Sequence, residues 1–184
     1  MPSRRVQVGE LLTRPSSYTG ADPIGIELSG ALKNVYAIAS GMSDGLGFQN
    51  NTRASPSLHF CARGTLLDPR HTVIITRGLA EMTCIGTAYG ASPLTFLGLA
   101  GVGDLFLTCS SSNSRNYTVG YRLGRGESLN TIMQTLGSVA EGVSTTKGVK
   151  MIVDELGVKA PIANGVRRLC RSATQTTDLV DAGI

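Results

Sequence analysis

Apolar residues recur at three- and four-residue spacing along most of the chain, which predicts amphipathic helices, and no stretch shows a convincing strand-like alternation. The richest segment is Ile24 to Gly45, IGIELSGALKNVYAIASGMSDG. On a helical wheel Leu28, Ala31, Leu32, Val35, Ile38, Ala39 and Met42 form one apolar face, expected to be core. A second stripe, Ile26, Gly30, Asn34, Ala37 and Gly41, is made mostly of small residues that let a helix or ligand approach the backbone, with Asn34 its one polar member. Ser29, Lys33, Tyr36 and Ser40 form a third. Asp22 and Pro23 mark the start of this helix, and the glycines from Gly41 to Gly47 a weak exit.

Further along, residues 46–54 continue toward a second helix, until two prolines and a glycine between Ser55 and Thr72 interrupt the periodicity. Thr72 is placed to cap a helix over Val73 to Tyr89, whose inner stripe is Ile75, Leu79, Met82, Ile85 and Tyr89, and Gly90 ends it. Ser92 and Pro93 are a cap and first-turn pair for a short helix over Leu94 to Leu97. The glycines at 98, 101 and 103 permit unusual backbone angles and close approach just before Asp104 and the apolar run Leu105 to Leu107. They are not a dinucleotide fingerprint, because Phe106 stands where the third glycine belongs and no strand precedes them.

The polar run Ser110 to Asn116 leads into a helix over Tyr117 to Leu123, Ser128 caps one over Leu129 to Leu136, and SVAEGVSTT opens one ending near Gly157 with Ile152, Val153 and Leu156 inside. Pro161 opens a last helix through about Cys170, and the Thr-rich tail from Ser172 is expected to be poorly ordered. Seven helical segments predict an all-α fold. Residues 1–20 are read as an irregular tail, 21–171 as one helical domain and 172–184 as a second tail.

Length and composition agree. The 184 residues suffice for one domain with a sizeable core. A content of 41% hydrophobic and 16% charged residues is ordinary for a globular protein, while 23 glycines and few aromatics suit tightly packed helices. A net charge of +4, spread without basic–aromatic clustering, argues against nucleic acid and is compatible with small anions. Cys61, Cys84, Cys109 and Cys170 have neither C-x-x-C nor zinc spacing, and His59 and His71 flank no ligand pattern, so reduced thiols and no metal are expected. The N-terminus has arginines but no apolar core of a signal peptide, and no run is long enough to span a membrane. Glu10 and the brevity of the segment favour the cytosol over a transit peptide.

Candidate chemistry lies in three places. Lys33 has two readings: a cleft lysine whose partial desolvation suits it to proton transfer, with Asn34 helping to hold a substrate, or a solvated lysine on an amphipathic helix. Ser114, Arg115 and Asn116 sit near a helix N-terminus, where free N–H groups, the dipole and a planar guanidinium suit phosphate, although such residues also serve as ordinary caps and solvated charges. Glu141 could bond ligand hydroxyls or stabilise its helix dipole.

The motifs GIELSGALKN (Gly25 to Asn34), GLAGVGDLFLTC (Gly98 to Cys109), SRN (Ser114 to Asn116) and VAEGV (Val139 to Val143), in this order, closely resemble the C-terminal, substrate-binding domain of NAD(P)-dependent glycerol-3-phosphate dehydrogenases. The resemblance runs from about Asp22 to Cys170 and implies a helical domain of the glycerol-3-phosphate/6-phosphogluconate dehydrogenase-like type, without the Rossmann domain. It implies interconversion of sn-glycerol 3-phosphate and dihydroxyacetone phosphate with NAD or NADP. Lys33 would be the catalytic acid/base; Lys33, Asn34, Asp104, Ser114, Arg115 and Asn116 would bind substrate, and Arg115, Val139 and Glu141 would line the cofactor. The partners expected are a small phosphate substrate and either a second copy of the chain or a cofactor-domain chain.

Two departures from the family pattern shape the expectation. Met1 to Thr19 is too short for a strand, glycine loop and crossover helix, so the cofactor would be held mainly by a domain outside this sequence, and the chain alone would be nearly inactive. NNTRA (Asn50 to Ala54) reads directly into IITRGLAEM (Ile74 to Met82) in the family pattern, so 55–73 is expected to be an insertion, a translated intron or a genuine loop. The alternative function is a non-catalytic helical module that binds a phosphate ligand or another subunit; a dehydrogenase of hydroxy acids fits the SRN and GxGD context less well.

Overall fold

A computed structural model describes residues 20–46, 69–137 and 140–181, and every regular element among them is helical. In chain order these are α1 (Pro23–Gly45), α2 (Pro69–Ala88), α3 (Pro93–Leu97), a π-helical turn (Leu99–Gly103), α4 (Asp104–Ser110), α5 (Arg115–Gly124), α6 (Leu129–Thr135), α7 (Glu141–Leu156) and α8 (Pro161–Asp181). The all-α architecture is the one the periodicity predicts.

Helix α1 is the axis of the fold, packed against α2, α4, α5, α7 and α8. Of its expected apolar face, Leu32, Val35, Ile38 and Met42 are buried, Leu28 and Ala39 are partly buried, and Ala31 is exposed. Much of the other two stripes is buried as well, because neighbours enclose the helix on several sides; Tyr36 and Ser40 find partners inside, whereas the Ser29 hydroxyl is buried without one. Tyr36 donates its hydroxyl to the buried Glu81 carboxylate at 3.3 Å, and Ser40 donates to the Cys109 carbonyl at 3.1 Å. Burial and the nearby Glu81 charge push the Tyr36 phenol well above its ordinary range, keeping it neutral.

The closest approach is between α1 and α5. A Cβ added at Gly41 would lie 2.0 Å from the Tyr117 carbonyl oxygen, and one at Gly120 would lie 2.0 Å from that of Ile38. Gly45 and Gly124 repeat the arrangement one turn on, against Tyr121 and Met42. These glycines sit in ordinary helical conformation; what they supply is the absence of a side chain where two backbones touch.

Helix ends follow their local chemistry. Asp22 accepts the Gly25 N–H at 3.0 Å as the cap of α1, and its other oxygen accepts the Ser92 N–H at 2.9 Å and the Thr95 hydroxyl at 2.6 Å. Asp22 thus caps α3 in place of the Ser92 side chain, which makes no cap bond. At the end of α2, Gly90 has φ +98° and the Ala91 N–H returns to the Gly86 carbonyl at 2.8 Å, a Schellman closure. Glu81 accepts the Ile162 N–H at 2.8 Å and the Ala163 N–H at 3.2 Å, capping α8 from α2.

Several boundaries differ from expectation. Helix α2 starts at Pro69, whose fixed φ suits a first turn, and Thr72 lies inside it, its carbonyl accepting the Thr76 hydroxyl at 2.7 Å. The expected insertion at 55–73 otherwise falls outside the described residues, as does the tail at 1–19. Helix α8 continues past Cys170 to Asp181, since residues 172–181 contain no glycine or proline and weak helix formers alone do not stop a helix. No glycine between 98 and 103 has positive φ; Gly101 instead admits the Phe96 carbonyl, 2.0 Å from an added Cβ.

Cys84, Cys109 and Cys170 are in the thiol form, and burial pushes the last two up to about 12 and about 11; Cys61 lies outside the described residues. No helix among the described residues is long and apolar enough to cross a membrane, and no group of His, Cys, Asp and Glu there could hold a metal.

Two outcomes follow from this packing. Gly120→Ala should destabilise the domain by about 1–3 kcal/mol or more through overpacking, whereas Gly148→Ala, exposed in α7 with open space around it, should stabilise it by about 0.5–1 kcal/mol; urea midpoints measure both. The Thr95 hydroxyl, then the Gly25 N–H, hold the Asp22 carboxyl below its ordinary range. Its stabilisation is therefore present above the unfolded value near pH 4 and lost as pH falls through the lower folded value, so Asp22→Asn should flatten that acid-side decline in a pH series of urea melts.

Candidate functional site

Helix α1 carries Lys33 and Asn34 to a cleft of about 460 Å³ bordered by the start of α5, the loop before it and the start of α7. Its lining includes Lys33, Asn34, Ser114, Arg115, Asn116 and Glu141, six positions singled out from sequence. Asp104, the first residue of α4, joins them through an ion pair in which its carboxylate accepts from the Lys33 ammonium. Both side chains are partly shielded, 23% and 36% exposed, so the pair is neither a solvated surface contact nor sealed from a ligand. Lys33 is therefore in a cleft, with its head held in place. Val139 lies outside the described residues.

Three glycines before Asp104 set its approach. Gly101 lets the π-helical turn fold against the Phe96 backbone, and α4 then starts at Asp104, placing an acid in the first turn, where the helix dipole favours it. One turn later Thr108 donates its hydroxyl to the Asp104 carbonyl at 2.6 Å and lies 3.4 Å from its carboxylate. Leu105 and Cys109 anchor the same short helix in the core.

Asn116 is buried and both ends of its carboxamide are engaged. Its Nδ2 donates to Asn34 Oδ1 at 3.0 Å, and its Oδ1 accepts the Gly142 N–H at 2.9 Å. Asn34 in turn donates to the Gly30 carbonyl at 3.3 Å. This chain of amides ties α1, the first turn of α5 and the first turn of α7 into one wall. Gly142 has to be small there, since a Cβ would stand 2.7 Å from both Asn116 Oδ1 and the Asn34 carbonyl oxygen.

Ser114 is the cap of α5, its hydroxyl accepting the Tyr117 N–H at 3.4 Å. Arg115 and Asn116 occupy the first helical positions, where peptide N–H groups and the helix dipole together suit an anion. Tyr117 donates its hydroxyl to Asp44 on α1; burial first, and then that bond, push its phenol up beyond its usual range. The cleft thus offers a lysine paired with a carboxylate, an arginine at a helix N-terminus and a carboxylate at another, an arrangement able to bind a phosphorylated polyol or ketone and to move a proton.

Gly30, Leu107, Thr108, Ser111 and Asn113 also line the cleft and were not named as site residues from sequence. Thr108 was legible in principle, four residues after Asp104 on a helix; Ser111 and Asn113 belong to a polar run that gives no residue-level signal.

Residues 22–181 match the family described as NAD-dependent glycerol-3-phosphate dehydrogenase C-terminus. A glycerol-3-phosphate dehydrogenase [NAD(P)+] of Geobacillus kaustophilus is 44% identical over 165 residues, 90% of this chain and 43% of the relative. One from Leptospira biflexa is 44% identical over 180 residues, 98% of this chain and 49% of the relative. Among solved structures, a glycerol-3-phosphate dehydrogenase from Coxiella burnetii superimposes with a TM-score of 0.70 at 33% identity, covering 92% of this chain and 50% of that one. The chain spans about half the length, or less, of the relatives it matches. With four motifs in order, a helical domain of matching shape and a family match across nearly all its described residues, the chain belongs to the NAD-dependent glycerol-3-phosphate dehydrogenase C-terminal family.

Proposed function

We propose that the chain is the substrate-binding and proton-transferring part of a glycerol-3-phosphate dehydrogenase, interconverting sn-glycerol 3-phosphate and dihydroxyacetone phosphate with NAD or NADP. The observation that carries the reading is the Lys33–Asp104 ion pair in the cleft bordered by Arg115. Arg115 and the first turn of α5 take the phosphate, supplying a bidentate fork and a helix dipole. Ser114 and Asn116 frame that site, and Asn116 also holds Asn34 in place for the substrate's oxygen functions. As negative charge develops on the carbonyl oxygen during reduction, Lys33 donates a proton to it; in the oxidative direction the neutral amine takes the hydroxyl proton. Asp104 holds the lysine head in line and balances its charge.

The rim also suits a nicotinamide dinucleotide in its chemistry. Arg115 has only donors and Glu141, when ionised, only acceptors, a set that fits phosphate and ribose hydroxyl groups, respectively. When bound, the nicotinamide supplies or removes the hydride. Arg115, Glu141 and the neighbouring Val139 would hold its near edge.

The test joins residues 22–181 to the nucleotide-binding half of the Geobacillus kaustophilus relative and follows NADH oxidation with dihydroxyacetone phosphate. Lys33→Met should lower kcat by about 10²–10⁴-fold with little change in KM, as expected for loss of a general acid. Turnover near the unsubstituted level in that variant would refute the role of Lys33. Arg115→Ala should weaken glycerol 3-phosphate binding to the chain, measured by calorimetry, about tenfold or more, from a charge-assisted bond of about 1.5–3 kcal/mol. Binding lost with Arg115 but no turnover in the joined protein would instead favour a ligand-binding module without chemistry.

A further inference from the structure

A second cavity, of about 470 Å³, lies between α6, α7 and α8, and it is independent of the cleft at Lys33. Leu129, Val143, Thr146 and Cys170 form part of its wall, together with three cations, Lys147, Arg167 and Arg171. No carboxylate is among the described lining residues. Lys147 lies one turn beyond Val143 on α7, and Arg171 one turn beyond Arg167 on α8, so the two helices present their positive charges to the same space. The Cys170 thiol, raised by burial to about 11, stays neutral and cancels none of that charge.

The arginine nearest the core supplies the second observation. Arg167 Nε is buried without a hydrogen-bond partner, although buried N–H groups are almost always paired and a guanidinium N–H is costly to leave unpaired. Lys150, by contrast, has its own carboxylate, Asp154, on the same helix, and Arg122 has Glu127. Three cations thus surround an apolar wall with no compensating carboxylate among the described lining residues, and one of them also carries a buried N–H without an acceptor.

We infer that this cavity binds an amphipathic organic anion, with a carboxylate or phosphate head on Arg167, Arg171 and Lys147 and a short apolar body against Leu129, Val143 and Cys170. The volume falls within the usual range for small-molecule sites, about 300–1,000 Å³. Neither half of the lining explains the ligand alone: an inorganic anion leaves the apolar wall wet, and a neutral hydrocarbon leaves the cations unpaired. The inference does not depend on the chemistry at Lys33.

Calorimetry on the full chain with octanoate, octyl phosphate, octanol and acetate tests it. Octanoate or octyl phosphate should bind at least tenfold more tightly than octanol and acetate, and the preferred head identifies the source of the anion. Arg167→Met with Arg171→Met should weaken that binding at least tenfold while leaving glycerol 3-phosphate binding unchanged, with circular dichroism reporting the fold. Should the double variant fail to fold, Lys147→Met, at an exposed position, should still weaken octanoate binding severalfold. Octanol binding as tightly as octanoate, affinity unaltered in the folded variants, or no binding of either anion would overturn the proposal.

Discussion

The structure depends on backbone contact between α1 and α5. Gly41 and Gly45 on one helix and Gly120 and Gly124 on the other remove the side chains that would otherwise hold the two axes apart. Once the helices touch, Asn34 and Asn116 come within hydrogen-bond reach, and Asn116 can also accept the first-turn N–H of Gly142 in α7. The position of Arg115 relative to Lys33 is then fixed by two neighbouring residues on rigid helices. A looser pair, spaced by ordinary side chains, would place a donor of the same chemistry too far from the lysine to share one ligand.

Around that contact the cleft is assembled from helix beginnings. Asp104 opens α4, Arg115 opens α5 and Glu141 opens α7, and all three neighbour the middle of α1. First turns lie at the positive end of the helix dipole, so an anion in the cleft meets a favourable field before any side chain is counted. Asp104 tempers this at the lysine. The division would suit the proposed phosphorylated ketone, which presents a dianion at one end and an oxygen that gains charge during reaction at the other.

Much of this was legible in the chain. The apolar stripe on α1 identified Leu32, Val35, Ile38 and Met42 as core, and the stripe containing Gly41 pointed to close approach of a helix or a ligand, of which the helix is found. What periodicity could not show was that α1 is enclosed on its remaining sides too, because Tyr36 and Ser40 are polar enough to pass for surface until Glu81 and the Cys109 carbonyl arrive from other elements. The ends of α2 and α8 were misplaced for a related reason: Thr72 and the Thr-rich stretch after Ser172 look like boundaries locally, but Pro69 can open a helix and threonine alone does not close one. At the site, Lys33, Asp104 and Arg115 were named from motif order, whereas Ser111 and Asn113 reach the cleft through loop geometry that has no signature in sequence. Asn116 was expected at the phosphate and lines that cleft, but the engagement of its carboxamide with Asn34 and Gly142 required coordinates.

The central claim is that Lys33 and the first turn of α5 face one ligand. Carbon-13 NMR of the lysine ε-carbons, during titration of the chain with glycerol 3-phosphate, tests this directly. The expected result is a saturable shift of one lysine resonance that is missing in the Lys33→Met protein, with the Lys147 and Lys150 resonances unmoved. A titration that saturates without moving the Lys33 resonance would contradict it.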